Sequence, residues 1–308
     1  MLVAGIRRWG GAVERFETAD PRALRDGEVL IEVRAAGVGH WDDIVRTGEW
    51  DPGRCPPLAL GVEAAGVVRA IGAGVERWSA GDEVTTHPLP LVDQGTWAPW
   101  LIARGEMLAR KPAGVSWSRA GAFAVPALTA IQVLDEALRV GPGETLLVNG
   151  GGSVTGGLLV SLAGLRGARA IATAGPASRD RVARIGAESV LDYHDDNWPR
   201  DVVELTAGRG VDAAANVAPG GASQALAAVR DGGRLATITS DPPGPARGIR
   251  VHSVYVRPDG PQLELACNAL AAGQLPFMIG ARFPLAEARA ALARAVAGSG
   301  GAVVLELG

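Results

Sequence analysis

The chain has 308 residues, comfortable for two cores, and 47% of them are apolar, so both cores can be filled. A net charge of −3 leaves no footprint for nucleic acid or an anionic membrane, and the two cysteines, Cys55 and Cys267, are too few and too far apart for a disulfide framework or a Cys-rich metal site, which fits a reducing compartment. The apolar N-terminus is broken by Arg7 and Arg8, and no apolar run reaches the roughly 18 residues of a membrane span, so the expectation is a soluble cytoplasmic protein with no membrane or nucleic-acid partner.

From Val3 to about Arg110 the apolar runs are short, β-branched or alternating, and punctuated by glycine: 28–34, 66–71, 82–86 and 98–103. This predicts a small, mostly β domain of barrel type. The texture then changes. The apolar run 145–148 meets Asn149-Gly-Gly-Gly-Ser-Val-Thr-Gly-Gly157, and a helix-periodic run follows from Leu158 to Leu165. The reading is strand, glycine turn, helix. A second strand is predicted at 169–173, then a helix over 179–185 and further strands at 189–191, 211–215, 234–238 and 250–256. Strands alternating with helices for about 110 residues predict an open, doubly wound parallel sheet. The last segment predicts a helix over 262–272, a strand near 281–283, a helix over 285–297 and a strand over 302–307, which should rejoin the first domain because a lone final strand needs a sheet to complete.

A glycine turn between strand and helix lets backbone N–H groups approach a pyrophosphate, since no Cβ stands in the way and the helix dipole favours an anion there. The candidate nucleotide contacts in the turn are Asn149, Gly150, Gly152, Ser153, Val154, Thr155 and Gly156. NAD-binding Rossmann domains place an Asp or Glu about 20 residues further on to hold the ribose 2′-hydroxyl, where it would repel a 2′-phosphate. Here Thr173-Ala-Gly175 holds that place without charge, and Ser178, Arg179 and Arg181 follow, the arginines suited to a phosphate. NADPH is therefore the expected cofactor, with a solvated helix face as the alternative role for the arginines. Because ligands of open sheets meet the carboxyl ends of the strands, Asn216, Thr237, Thr239, Ser240 and Val254 join the candidates. Each is equally readable as a satisfied loop residue.

The chain resembles the medium-chain dehydrogenase/reductase superfamily, in its zinc-independent quinone oxidoreductase and enoyl reductase branch. The resemblance runs nearly end to end. It rests on Ala36-Gly-Val-Gly-His-Trp-Asp-Asp43, Gly61-Val-Glu-Ala-Ala-Gly-Val-Val68, Ile71-Gly-Ala-Gly74, Gly81-Asp-Glu-Val84, Pro126-Ala-Leu-Thr-Ala130, the glycine turn, Gly186-Ala187 and Asp192-Tyr193. It implies a GroES-like catalytic domain over 1–119 and 258–308, a Rossmann domain over 120–257, and a cofactor in the cleft between them. Thr129 resembles the family threonine near the nicotinamide, Tyr193 the tyrosine at the adenosine end, and His40 is a candidate for the cofactor's phosphates or for packing at the domain edge. Relatives commonly pair as homodimers through the outer edge of the nucleotide sheet, here 250–256. Where Ala302 stands, many relatives carry a lysine.

The departures carry as much meaning. Zinc alcohol dehydrogenases have a cysteine where this chain has Gly39 and a histidine where it has Val62, while catalytic zinc needs three protein ligands. The expectation is no metal. Trp41 replaces the hydroxyl residue of the family's proton relay, and Trp50 stands where many relatives carry tyrosine. Either indole is a candidate catalytic donor or an apolar wall. The activity implied is metal-free transfer of hydride from NADPH to a small molecule, a quinone or an α,β-unsaturated carbonyl. The competing reading is a protein that binds NADPH with little turnover and serves a structural or regulatory role.

Overall fold

The computed structural model describes residues 1–307. In chain order the elements are β1 (Leu2–Ile6), β2 (Glu14–Glu17), β3 (Glu28–Val38), α1 (His40–Thr47), β4 (Leu58–Ala59), β5 (Ala64–Ile71), β6 (Glu83–Thr86), β7 (Trp100–Arg104) and β8 (Leu108–Arg110). Helices α2 (Trp117–Gly121) and α3 (Ala124–Ile131) follow, α3 running into a π-helical segment at Gln132–Ala137. Then come β9 (Thr145–Asn149), α4 (Val154–Leu165), β10 (Arg169–Thr173), α5 (Pro176–Arg184), β11 (Ala187–Leu191), α6 (Trp198–Leu205), β12 (Val211–Asn216), α7 (Ala222–Ala227), β13 (Val229–Thr237) and β14 (Arg250–Ser253). The chain ends with α8 (Gly260–Ala271), β15 (Ile279–Pro284), α9 (Ala288–Ala297) and β16 (Ala302–Glu306).

Two compact units result: Met1–Leu128 with Arg257–Gly273 and Phe277–Gly308, and Thr129–Val256 with Gln274–Pro276. In the first, β3 is the spine. It pairs antiparallel with β5, β7 and β16, so the last strand does complete the first sheet, and β15 lies parallel beside β16 at the edge. Alternating side chains of these strands, among them Ile31, Val33, Val68, Leu101 and Val304, are fully buried. Trp97 and Trp78 are buried as well, and each indole satisfies its one donor on a backbone carbonyl, Gly37 at 3.0 Å and Gly105 at 2.7 Å.

The second unit is a six-stranded sheet in the order β11-β10-β9-β12-β13-β14, parallel throughout. The order reverses at β9, so the turn after β9 sits at the switch point, where open sheets bind ligands. Leu147, Ile171, Trp198, Val202, Ala214 and Leu235 form the core beneath the sheet.

Two elements differ from the sequence reading. The outer strand expected over 250–256 stops at Ser253, because its partner β13 ends at Thr237 and the chain turns away through Ser240, which has φ of 57°. Tyr255 is consequently exposed. The helix expected over 285–297 opens as a 3-10 turn at Leu285–Glu287 before α9 begins.

Candidate functional site

In the nucleotide-type unit the turn is built by three local interactions. Gly150 takes φ of 96°, a left-handed conformation that glycine adopts without cost, and its N–H donates to Thr173 Oγ1 at 2.9 Å. The Gly151 N–H reaches the Thr173 carbonyl at 2.8 Å. Ser153 caps α4, its hydroxyl accepting from the Gly156 N–H at 3.0 Å while donating to the Gly150 carbonyl at 2.9 Å. A Cβ on Gly156 would collide with the Gly150 carbonyl, so this position tolerates only glycine in the observed packing. Val154 and Thr155 open the helix, where backbone donors lack intrahelical partners and an anion is favoured. The turn residues therefore fit a pyrophosphate.

At the next strand, Gly175 precedes α5, and Tyr193 lies against it: a Cβ on Gly175 would meet the tyrosine ring at 3.2 Å. The Arg181 guanidinium donates to the Gly152 carbonyl at 2.7 Å and to Ser178 Oγ at 3.3 Å, which ties α5 to the glycine turn. Arg179 is exposed and makes no hydrogen bond among the described residues, so its planar donors are available to an anion. Of the two expected arginines, one is engaged with the fold and one is open. The side chains of Asn149, Thr173, Asn216 and Thr237 are wholly or almost wholly buried at the carboxyl ends of adjacent strands, bonded to one another. They stand behind the binding surface. Thr239 and Val254 are partly exposed and Ser240 is exposed.

In the other unit the expected His40 and Trp41 lie beside residues that the sequence reading did not single out, Asp42, Glu63 and His87. His40 is the exposed first residue of α1, and Trp41 lays its indole over Gly39, where a Cβ would collide with the ring. Asp42 Oδ2 accepts the Gly39 N–H at 2.8 Å, while its Oδ1 and the Trp41 Nε1 are buried without a hydrogen-bond partner. Glu63 Oε2 accepts the Val125 N–H at 2.8 Å, and its Oε1, also unpartnered, fills the space over Gly37. Burial pushes the Asp42 carboxyl up to about 8, against the pull of the Gly39 N–H. Burial raises the Glu63 carboxyl well above the ordinary glutamate range, opposed by the Val125 N–H and reinforced by Asp42. His87 is fully buried, its Nδ1 2.7 Å from the Val62 carbonyl and its ring 6.3 Å from that of Trp50. Thr129 is buried in α3. Val62 is buried too, and among the described residues no three His, Cys, Asp or Glu side chains gather in a way that would hold a metal. For Glu63 a signal was present in the sequence, a carboxylate inside the apolar run 62–68, whereas Asp42 stands among polar neighbours that give none.

Two family models match the chain: Alcohol dehydrogenase GroES-like domain over residues 25–130 and Zinc-binding dehydrogenase over residues 185–301. Erythronolide synthase EryA2 of Saccharopolyspora erythraea is 35% identical over 227 residues, which are 70% of this chain and 6% of that protein. Quinone oxidoreductase 1 of Escherichia coli is 30% identical over 201 residues, 65% of this chain and 59% of that protein. The chain thus matches only part of each of these relatives. Among solved structures, an NAD-dependent alcohol dehydrogenase superposes with a TM-score of 0.89 at 28% identity, covering 100% of both chains. A mycobacterial protein in complex with NADPH superposes with a TM-score of 0.87 at 27% identity, over 99% of this chain and 100% of that one. The chain belongs to the medium-chain dehydrogenase/reductase superfamily, with a GroES-like domain and a Rossmann-type parallel sheet. The glycine turn of its parallel sheet has the geometry of a nucleotide-cofactor site. No helix among the described residues is long and apolar enough to cross a membrane.

Proposed function

We propose that the protein reduces a quinone or an α,β-unsaturated carbonyl with NADPH and without a metal. The observation that carries this reading is the state of the two positions where zinc relatives hold ligands. Val62 has no donor atom, and Gly39 has neither a side chain nor the space for one beneath the Trp41 ring. Without a Lewis acid, oxidation of a simple alcohol loses the group that polarises its oxygen. Conjugate reduction needs no such group: NADPH, when bound, supplies a hydride at its nicotinamide C4, and charge moves onto the acceptor's carbonyl oxygen.

The chain's own residues bind, orient and exclude water. The turn from Gly150 to Gly156 receives the pyrophosphate, and Arg179, with Ser178 and Tyr193, receives the adenosine 2′-phosphate. Trp41 and Trp50 wall the acceptor. The indole N–H of Trp50 makes no hydrogen bond among the described residues and can donate to a developing oxyanion. Likeness to E. coli quinone oxidoreductase 1 supports a quinone acceptor, and likeness to part of a polyketide synthase supports an enoyl group on a natural-product intermediate.

The test is NADPH absorbance against a panel of quinones, enones and simple secondary alcohols, with the metal content of the purified protein measured alongside. Turnover of an activated C=C or a quinone, unchanged by a chelator and absent with the alcohols, is the expected result. Efficient oxidation of a plain alcohol, or one tightly bound zinc per chain required for turnover, overturns the proposal.

A further inference from the structure

The carboxyl edge of the nucleotide-type sheet holds a chain of hydrogen bonds that crosses four neighbouring strands. It begins at the glycine turn, where the Gly150 N–H donates to Thr173 Oγ1 at 2.9 Å. The Thr173 hydroxyl donates to Asn149 Oδ1 at 2.7 Å, and Asn149 Nδ2 donates to Asn216 Oδ1 at 2.8 Å. Asn216 Nδ2 donates to Thr237 Oγ1 at 3.1 Å and to Thr239 Oγ1 at 2.9 Å. Both threonine hydroxyls end on one atom, Asp241 Oδ1, that of Thr237 at 2.9 Å.

The direction of this chain is fixed from both ends. A backbone N–H can only donate, so Thr173 Oγ1 must accept from Gly150 and pass its own proton on to Asn149. An ionised carboxylate can only accept, so Asp241 draws the threonine protons, that of Thr237 either directly or by way of Thr239 Oγ1 2.9 Å away, and both threonine oxygens receive from Asn216. Each amide between the two ends then has a single orientation that satisfies its partners. The four central side chains, Thr173, Asn149, Asn216 and Thr237, are at most 3% exposed, so water is a poor substitute for any lost partner. Burial would raise the Asp241 carboxyl, but the hydroxyls of Thr239 and Thr237 outweigh that and hold it below the ordinary aspartate range.

We infer that Asp241 is a positioning residue for the cofactor: through Thr237, Thr239, Asn216, Asn149 and Thr173 it orients the Gly150 N–H and so sets the glycine turn before a nucleotide binds. The inference rests on the reading of that turn as the nucleotide site. The physical effect is preorganisation. A turn held in its binding geometry loses less freedom when the phosphates arrive. Replacing the terminal acceptor by a group that can also donate frees the hydroxyls of Thr237 and Thr239 from a fixed direction, which weakens their hold on Asn216 and, through Asn149 and Thr173, on the turn.

The test uses Asp241→Asn, Thr173→Val and the double variant, with NADPH dissociation constants from fluorescence titration and amide hydrogen exchange at Gly150 measured on the protein without nucleotide. Asp241→Asn is expected to weaken NADPH binding by roughly three- to tenfold, the worth of one or two hydrogen bonds, and to speed exchange at Gly150 while leaving kcat within about twofold. In the Thr173→Val background, where the chain is already cut, Asp241→Asn should add little to either readout. Should Asp241→Asn fold poorly, Thr239→Val serves instead, with a smaller loss because the route through Thr237 persists. Additive losses in the double variant, or unchanged exchange at Gly150 in Asp241→Asn, overturn the inference. If NADPH does not bind the unaltered protein, the nucleotide reading fails, whereas exchange at Gly150 still decides whether Asp241 sets the turn.

Discussion

Replacing Asp42 by asparagine should change how stability depends on pH. An aspartate ordinarily titrates near 3.8, and burial raises Asp42 to about 8. Between these values the folded protein holds a proton that the unfolded chain has released. The stabilisation is therefore complete below about pH 4 and is lost as pH rises toward about 8, at up to about 1.4 kcal/mol for each pH unit. From pH 5 to pH 7 the loss amounts to roughly 2–3 kcal/mol, which corresponds to a fall in melting temperature on the order of 5–10 °C. Asparagine has the same shape and keeps an oxygen to accept the Gly39 N–H, but it has no charge to acquire. The variant and the unaltered protein should melt within a few degrees of each other near pH 5, and the variant should melt higher by on the order of 5–10 °C near pH 7. Tryptophan fluorescence suits the assay, since seven of the eight tryptophans lie in the unit that contains Asp42. A gap between the two proteins that is the same at both pH values refutes the reasoning. The residual slope in the variant would report Glu63, whose carboxyl is raised by the same cause.

Arg179→Ala should weaken NADPH by about tenfold while leaving NADH nearly unchanged, because a single guanidinium–phosphate contact is removed; steady-state KM values for both cofactors check this, and equal losses for the two refute it. Trp50→Phe keeps an aromatic wall and removes a donor, so a loss in kcat/KM well under about tenfold is expected, whereas a loss near 10²-fold would mean a hydrogen bond made chiefly in the transition state. Of the two cysteines, exposed Cys55 should react quickly with a thiol reagent, while Cys267, buried and with its thiol pushed up to about 12, should react only on unfolding. The edge strand β14 carries unpaired backbone groups, and light scattering at micromolar concentration should give the mass of a dimer, with a monomer mass counting against pairing through that edge.

The elements legible in the sequence were those whose determinants are local. Glycines at 150 and 156 mark a tight strand-to-helix passage, Ser153 marks the cap, and alternation over 28–34 marks a half-buried strand. What was not legible depends on pairings distant along the chain. Glu63 meets the Val125 N–H, 62 positions away, and only that contact shows that the carboxylate is interior. The role of Thr173 was similarly hidden: in sequence it is the polar last residue of a strand, whereas in the fold its hydroxyl is committed to Asn149, 24 positions back. The early end of β14 follows from where β13 stops, which no property of 250–256 encodes.

The raised carboxyls and the missing metal ligands are physically connected. A carboxylate buried in an apolar site stays ionised only beside a compensating cation or several donors. Asp42 receives one backbone donor, Glu63 the N–H of Val125 with further support from the backbone at Ala124, and no Lys or Arg contributes to either group. Val62 and Gly39 offer no ligand atom here, and among the described residues no three His, Cys, Asp or Glu side chains gather around these carboxyls. Protons are then the neutralising species at hand, which is why burial pushes Asp42 up to about 8 and raises Glu63 well above the ordinary glutamate range. Neither residue reaches a surface from which it could hand a proton to a substrate, so its effect is on the fold: Asp42 holds the Gly39 end of α1 and Glu63 the Val125 end of α3.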